Sequence, residues 1–162
     1  MEFIDPEKIF GLGTGSTVNL LINKIHETFI SNGHSITAVS TSKETTDLAT
    51  KLGINIIDLD QVNELDVVID GADEVDPKNN LIKGGGGALL MEKIVANYSK
   101  QFVVIVDTSK LVSKLGKFPL PIEIVQFGSE KTKESVERVL IESGYKTGKV
   151  IFRRSATNKY VT

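Results

Sequence analysis

The chain has 162 residues, a net charge of −2 and no cysteine, with 40% hydrophobic and 25% charged residues. This suits one folded domain and part of another, and it excludes a disulfide scaffold or a thiolate-bound metal. The absence of a basic surplus points away from nucleic acid and anionic membranes as partners.

The two histidines, His26 and His34, lie apart, which disfavours a histidine metal site. No apolar run approaches the ~20 residues of a membrane span. The opening, Met1-Glu2-Phe3-Ile4-Asp5-Pro6, is short and acidic, unlike a signal peptide. A cytoplasmic protein without a membrane partner is the expectation.

The first strand is expected at Ile9-Phe10. It runs into Gly11-Leu12-Gly13-Thr14-Gly15-Ser16-Thr17, and Val18, Leu21, Ile22, Ile25 and Phe29 then mark one face of a helix. Strand, glycine-rich turn and helix present backbone N–H groups to an anion. Ser16 and Thr17 add hydroxyls and are expected to cap the helix. A dinucleotide fingerprint needs its third glycine one residue later and an acid at the end of the second strand. Here that strand, Ile36 to Val39, ends in Ser40-Thr41-Ser42-Lys43. The stretch reads as a pocket for one phosphate, the alternative being a glycine-rich turn without a ligand.

A helix from about Glu44 to Leu52 is expected, stopped by Gly53, and a short strand from Ile54 to Leu59. The apolar run Val67-Val68-Ile69 then ends in Asp70, a carboxylate delivered at the carboxyl end of a buried strand. Asp73, Glu74 and Asp76 follow, then a polar loop, then Lys83 ahead of Gly84 to Gly87. In the next helix Glu92 has Ala88, Leu89, Val95 and Ala96 as its neighbours at i−4, i−3, i+3 and i+4. It therefore projects from the apolar face. Two placements fit that spacing. One is a buried carboxylate with a raised pKa, suited to a general base. The other is a marginal Glu whose head reaches water. Phe102 to Val106 is a further strand, ending in Asp107 and leading to Thr108-Ser109-Lys110.

Strands alternating with helices imply an α/β fold: a Rossmann-like, mainly parallel sheet with helices on both faces. Pro119 and Pro121 mark a boundary, giving a catalytic domain over 1–118 and a partial α+β domain over 119–162. In the second part, strands are expected at Ile122 to Phe127, Val150 to Arg153 and Tyr160-Val161, with a helix starting at Ser129. Asp70, Asp73 and Asp76 could together suit a hard cation. Their spacing matches no calcium loop and Lys83 would compete for them, so no metal is expected.

Four blocks resemble ribose-5-phosphate isomerase of the A type: residues 11–17, Asp70-Gly71-Ala72-Asp73-Glu74, Lys83-Gly84-Gly85-Gly86 with Glu92-Lys93 downstream, and Asp107 to Lys110 leading to Gly116-Lys117-Phe118-Pro119-Leu120-Pro121. They keep the family's order and spacing over essentially the whole chain. The resemblance implies interconversion of ribose 5-phosphate and ribulose 5-phosphate through an enediolate, in the non-oxidative pentose phosphate pathway, without metal or organic cofactor. It implies Glu92 as base, with Asp70, Asp73 and Lys83 as further catalytic positions. Thr14, Gly15, Ser16, Thr17, Gly71, Ala72, Gly84, Gly85, Gly86 and Lys110 then bind the substrate. It further implies a homo-oligomer, dimer or tetramer, and a ferredoxin-like second domain. Relative to the family the chain is short at both ends, so unpaired sheet edges and an open second core are expected. The alternative is a sugar-phosphate sensor domain that keeps the phosphate loop but lacks the base. Against it, Glu92 and Lys83 are both present and no helix-turn-helix accompanies them.

Overall fold

The computed structural model describes residues 1–145, 149–154 and 160. The chain divides into two compact units, Met1–Pro121 and Ile122–Thr162.

In the first unit, β1 (Phe10–Leu12), β2 (Thr37–Ser40), β3 (Asn55–Ile56), β4 (Leu65–Asp70) and β7 (Ser99–Val104) form a five-stranded sheet in the order β3-β2-β1-β4-β7. Every neighbouring pair is parallel. The chain steps outward from β1 to β3 on one side, then from β4 to β7 on the other. The reversal lies between β1 and β4, where open α/β sheets bind ligands beyond the strands' carboxyl ends.

Alternation along the strands explains why helices cover both faces. Phe10, Leu12, Ala38, Val67 and Ile69 pack with Val18, Ile22 and Ile25 of α1 (Ser16–Thr28) and Ala49 of α2 (Lys43–Lys51). The intervening Val39 and Val68 pack with Val95 of α3 (Leu89–Asn97). Asp70 continues the Val68 parity, so the strand that supplies the core also aims a carboxylate at the α3 side. Gly11 lets α3 come close: a Cβ there would sit 2.6 Å from Val68 Cγ2 and 2.9 Å from Val95 Cγ1.

The polar loop expected after Asp76 is part of an antiparallel hairpin, β5 (Glu74–Val75) with β6 (Leu81–Ile82). Asp76 closes its turn by accepting from the N–H groups of Lys78 and Asn80. Among the described residues, no group of three or more His, Cys, Asp or Glu is placed to hold a metal. No described helix is long and apolar enough to cross a membrane.

In the second unit α4 (Ser129–Glu142) matches the expected helix. The strand expected over Ile122 to Phe127 is absent: that segment is irregular, and Val125 and Phe127 are 77% and 94% exposed. A strand needs a partner for its backbone groups, and no described strand pairs with it. Val150 to Arg153 is likewise irregular, while Val161 of the last expected strand lies outside the described residues.

The packing at Gly11 generates a test. Gly11→Ala should cost about 1–3 kcal/mol through overpacking, seen as a lower urea midpoint. An unchanged midpoint would mean that α3 is free to move off the sheet.

Candidate active site

Asp70 ends β4 and is 1% exposed. Its Oδ1 accepts the N–H groups of Thr14 at 3.1 Å and Gly71 at 2.7 Å. Its Oδ2 accepts from Lys83 Nζ at 2.9 Å. Lys83 also donates to the Gly71 carbonyl. Both carboxylate oxygens are thus occupied, and Asp70 ties three segments together: the loop after β1, its own strand end and the residue after β6. Gly13 makes this possible, since a Cβ there would lie 1.9 Å from Asp70 Oδ1.

Glu92 occupies the first turn of α3 and is buried, so the first of its two expected placements is the one adopted. Its Oε2 lies 3.2 Å from Lys83 Nζ. The contact is an ion pair without hydrogen-bond alignment, and Oε2 is a buried acceptor with no hydrogen-bond partner. Burial, more than any other cause, pushes the Glu92 carboxyl above its ordinary pKa. The negative charge of Asp70 adds to this, and Lys83 opposes it. Lys83 therefore serves two carboxylates, but fully satisfies only Asp70.

Asp73, half-buried, stands on the crossing from β4 to β5. Its N–H donates to the Ile82 carbonyl at 2.8 Å and its Oδ2 accepts from Gly85 N–H at 2.8 Å. Gly71 and Ala72 form that crossing. The glycine run turns back through Gly87 N–H to the Gly84 carbonyl at 3.0 Å, and Gly86 faces the Thr14 methyl.

The expected caps are corrected by the structure. Gly15 is the N-cap of α1, with no side chain bonded to the helix end, and no acid lies in the first turn. Ser16 and Thr17 stand one and two positions too late to cap. The consequence is an uncapped helix terminus at the sheet's carboxyl edge, with N–H groups aimed outward and partial positive charge. Lys110 sits in a 3-10 turn, Thr108–Lys110, capped by Asp107. It shares the carboxyl edge, since β7 pairs with β4 and Ile105 N–H donates to the Asp70 carbonyl. Among the described residues it makes no ion pair with Asp70, Asp73 or Glu92.

Two further residues support the site and were not singled out by sequence reasoning. Thr41 and Thr45 are both fully buried. Thr41 Oγ1 pairs with Thr14 Oγ1 at 2.7 Å, and Thr45 Oγ1 donates to the Gly13 carbonyl at 2.8 Å. They fix the 13–14 loop from below. The Ser/Thr cluster after the second expected strand was the available signal; which hydroxyls turn inward depends on the α2 N-cap, where Ser42 accepts from Thr45 N–H.

The arrangement brings together a buried carboxylate with a raised pKa, an adjacent ammonium, a second acid and a helix N-terminus without a side-chain cap. The family model described as Ribose 5-phosphate isomerase A (phosphoriboisomerase A) matches residues 37–162. A protein named ribose-5-phosphate isomerase A from Streptococcus pneumoniae serotype 19F is 48% identical over 161 residues, covering 99% of this chain and 68% of that relative. The ribose 5-phosphate isomerase structure from Plasmodium falciparum superposes with a TM-score of 0.90 at 37% identity, over 99% of this chain and 68% of that one. A D-ribose-5-phosphate isomerase structure in complex with phospho-erythronic acid superposes with a TM-score of 0.84 at 39% identity, with the same coverage. The chain thus spans about two thirds of the length of these relatives.

The geometry around Asp70 makes a prediction. Asp70→Ala leaves the Thr14 and Gly71 N–H groups without their acceptor and Lys83 with only Glu92 and the Gly71 carbonyl, and should cost about 1–3 kcal/mol in chemical denaturation. A loss below ~1 kcal/mol would mean that water replaces the carboxylate freely and the cluster is not dry.

Proposed function

Because the chain belongs to the ribose-5-phosphate isomerase A family, we propose that it interconverts ribose 5-phosphate and ribulose 5-phosphate through an enediolate, with Glu92 as the base. The observation that carries this reading is Glu92 Oε2: buried, without a hydrogen-bond partner and on a carboxyl whose pKa is raised. A carboxylate oxygen held only by the Lys83 ion pair is available to accept a proton from carbon.

In the open-chain aldose, Glu92 removes the C2 proton. The electron pair forms the C1–C2 double bond, and the carbonyl oxygen O1 becomes the enediolate oxygen. Returning the proton to C1, with the O2 proton leaving for O1, gives the ketose. Lys83 supplies a fixed positive charge beside the base, where the enediolate oxygens carry the developing negative charge. Asp70 holds Lys83 in place but has both oxygens occupied. Asp73 accepts one bond, from Gly85, through Oδ2. This favours Asp73 over Asp70 as the acid that assists furanose ring opening. The N–H groups of Ser16 and Thr17 hold the phosphate, with Thr14 and Gly15 shaping the loop. Gly71, Ala72, Gly84, Gly85, Gly86 and Lys110 line the remaining substrate contacts. Binding energy from the phosphate orients C1 and C2 against Glu92. The scheme uses no cofactor.

The reading extends to a cytoplasmic homo-oligomer, dimer or tetramer. The outer face of α3 supports an assembly, since Leu90, Met91 and Ile94 are 55%, 51% and 42% exposed and form an apolar patch. It also extends to a two-domain division near residue 118, with a ferredoxin-like second part.

Glu92→Gln keeps the side chain's shape and removes its basicity. Proton NMR in D₂O should show loss of C2–H exchange and of ribulose 5-phosphate formation, by at least ~10²-fold. Retained turnover would sink the assignment. Stability gives an independent sign. A carboxyl whose folded pKa lies above 4.5 destabilises the fold increasingly as pH rises from 4.5 to that folded value, fully above it, and not at all well below 4.5. At pH 7 Glu92→Gln should therefore melt at or above the wild-type temperature. A clearly lower melting temperature at that pH would mean that the charged form is the stabilised one.

A further inference from the structure

Among the described residues, Glu74 is a buried carboxylate that this chemistry leaves unused. It is 3% exposed, and both of its carboxylate oxygens accept backbone N–H groups from a single loop. Oε2 accepts from Gly116 at 2.7 Å, and Oε1 accepts from Phe118. Charge-assisted bonds of this kind are about twice as strong as neutral ones. The stretch just before that loop is also joined to β5, where Val112 N–H donates to the Val75 carbonyl at 2.9 Å.

The clamp fixes one side chain beside the site. The Phe118 ring lies against Gly85, where a Cβ would meet Phe118 Cζ at 2.9 Å and Asp73 Oδ1 at 2.4 Å. Gly85 in turn holds Asp73 through its N–H. Across the hairpin Glu74 pairs with Ile82, the residue before Lys83. Glu74 therefore joins the 116–118 loop to the hairpin that carries both Asp73 and Lys83.

We propose that Glu74 is a positioning residue: by clamping residues 116–118 it seats Phe118 on Gly85 and so sets the Asp73 carboxylate for the sugar. The proposal rests on the isomerase reading for its functional consequence, and on the local contacts for its structural one. Glu74→Gln loses an acceptor, because its amide NH₂ would face one of the two N–H donors. Phe118→Leu keeps the backbone bonds to Glu74 and removes the ring.

The test combines steady-state kinetics on ribose 5-phosphate with amide hydrogen exchange by NMR, on the 162-residue chain and both variants. In each variant kcat should fall about 10- to 100-fold, from misplacement by roughly an ångström. KM should change little, because the phosphate is held at α1. Exchange at Gly85 should accelerate in both variants, while Thr14 and Gly71, which donate to Asp70, keep their wild-type rates. A Glu74→Gln variant with wild-type kcat, or with fast exchange at Phe118 and unchanged exchange at Gly85, would overturn the proposal. Should Glu74→Gln fail to fold, Phe118→Leu decides alone by the same two readouts. A wild-type protein that binds the sugar phosphate without converting it would refute the isomerase reading, and exchange at Gly85 would still decide the clamp.

Discussion

Two carboxylates share one ammonium in a site that water scarcely reaches. The side chains of Asp70, Glu92 and Lys83 are 2%, 4% and 15% exposed. Three charges that sum to −1 are costly to bury unless each is held by hydrogen bonds. Asp70 meets that condition with two N–H groups and the lysine. Glu92 does not, and that deficit suits it to the role of base proposed for it. The positions of Asp70 and Lys83 can be read as the means of keeping an under-satisfied Glu in a folded protein.

The sheet explains why those charges meet. The switch point between β1 and β4 leaves a crevice at their carboxyl ends, and Asp70 is the last residue of β4. Gly13 N–H donates to the Ile69 carbonyl at 2.9 Å, which brings the chain leaving β1 directly over the β4 end. From there the uncapped α1 terminus begins within three residues. The α3 helix lies on the opposite face from α1 and α2, and its first turn delivers Glu92 to the same edge. Stability resides in the aliphatic core on the two faces, and the edge carries the groups that cost stability.

Much of this was legible in the chain. Continuous apolar runs ending in acids identify buried parallel strands, and Glu92 with four apolar neighbours at helical spacing signals a carboxylate on the packed face. The α/β class, the strand succession and the convergence of Asp70, Lys83 and Glu92 follow from those patterns together with the family motifs. Other features were hidden for physical reasons. The β5–β6 hairpin has strands of two residues each, too short for any periodicity to register. Ser16 and Thr17 looked like caps because of their residue type, but the cap position is set by where the β1 exit turns, and Gly15 takes it. Ile122 to Phe127 has the composition of a strand, and composition alone supplies no partner. The inward roles of Thr41, Thr45 and Glu74 depend on backbone groups distant in sequence, which no local pattern encodes.

The most direct measurement is the titration of the Glu92 carboxyl carbon by ¹³C NMR, in the folded protein without substrate. A midpoint above the ordinary glutamate value of 4.5, lying further above it when Lys83 is replaced by Met, is the result this account requires. A midpoint at or below 4.5 would mean that Lys83 satisfies Glu92 as fully as it does Asp70. The carboxylate would then be a structural ion-pair partner, and the base would have to be sought elsewhere.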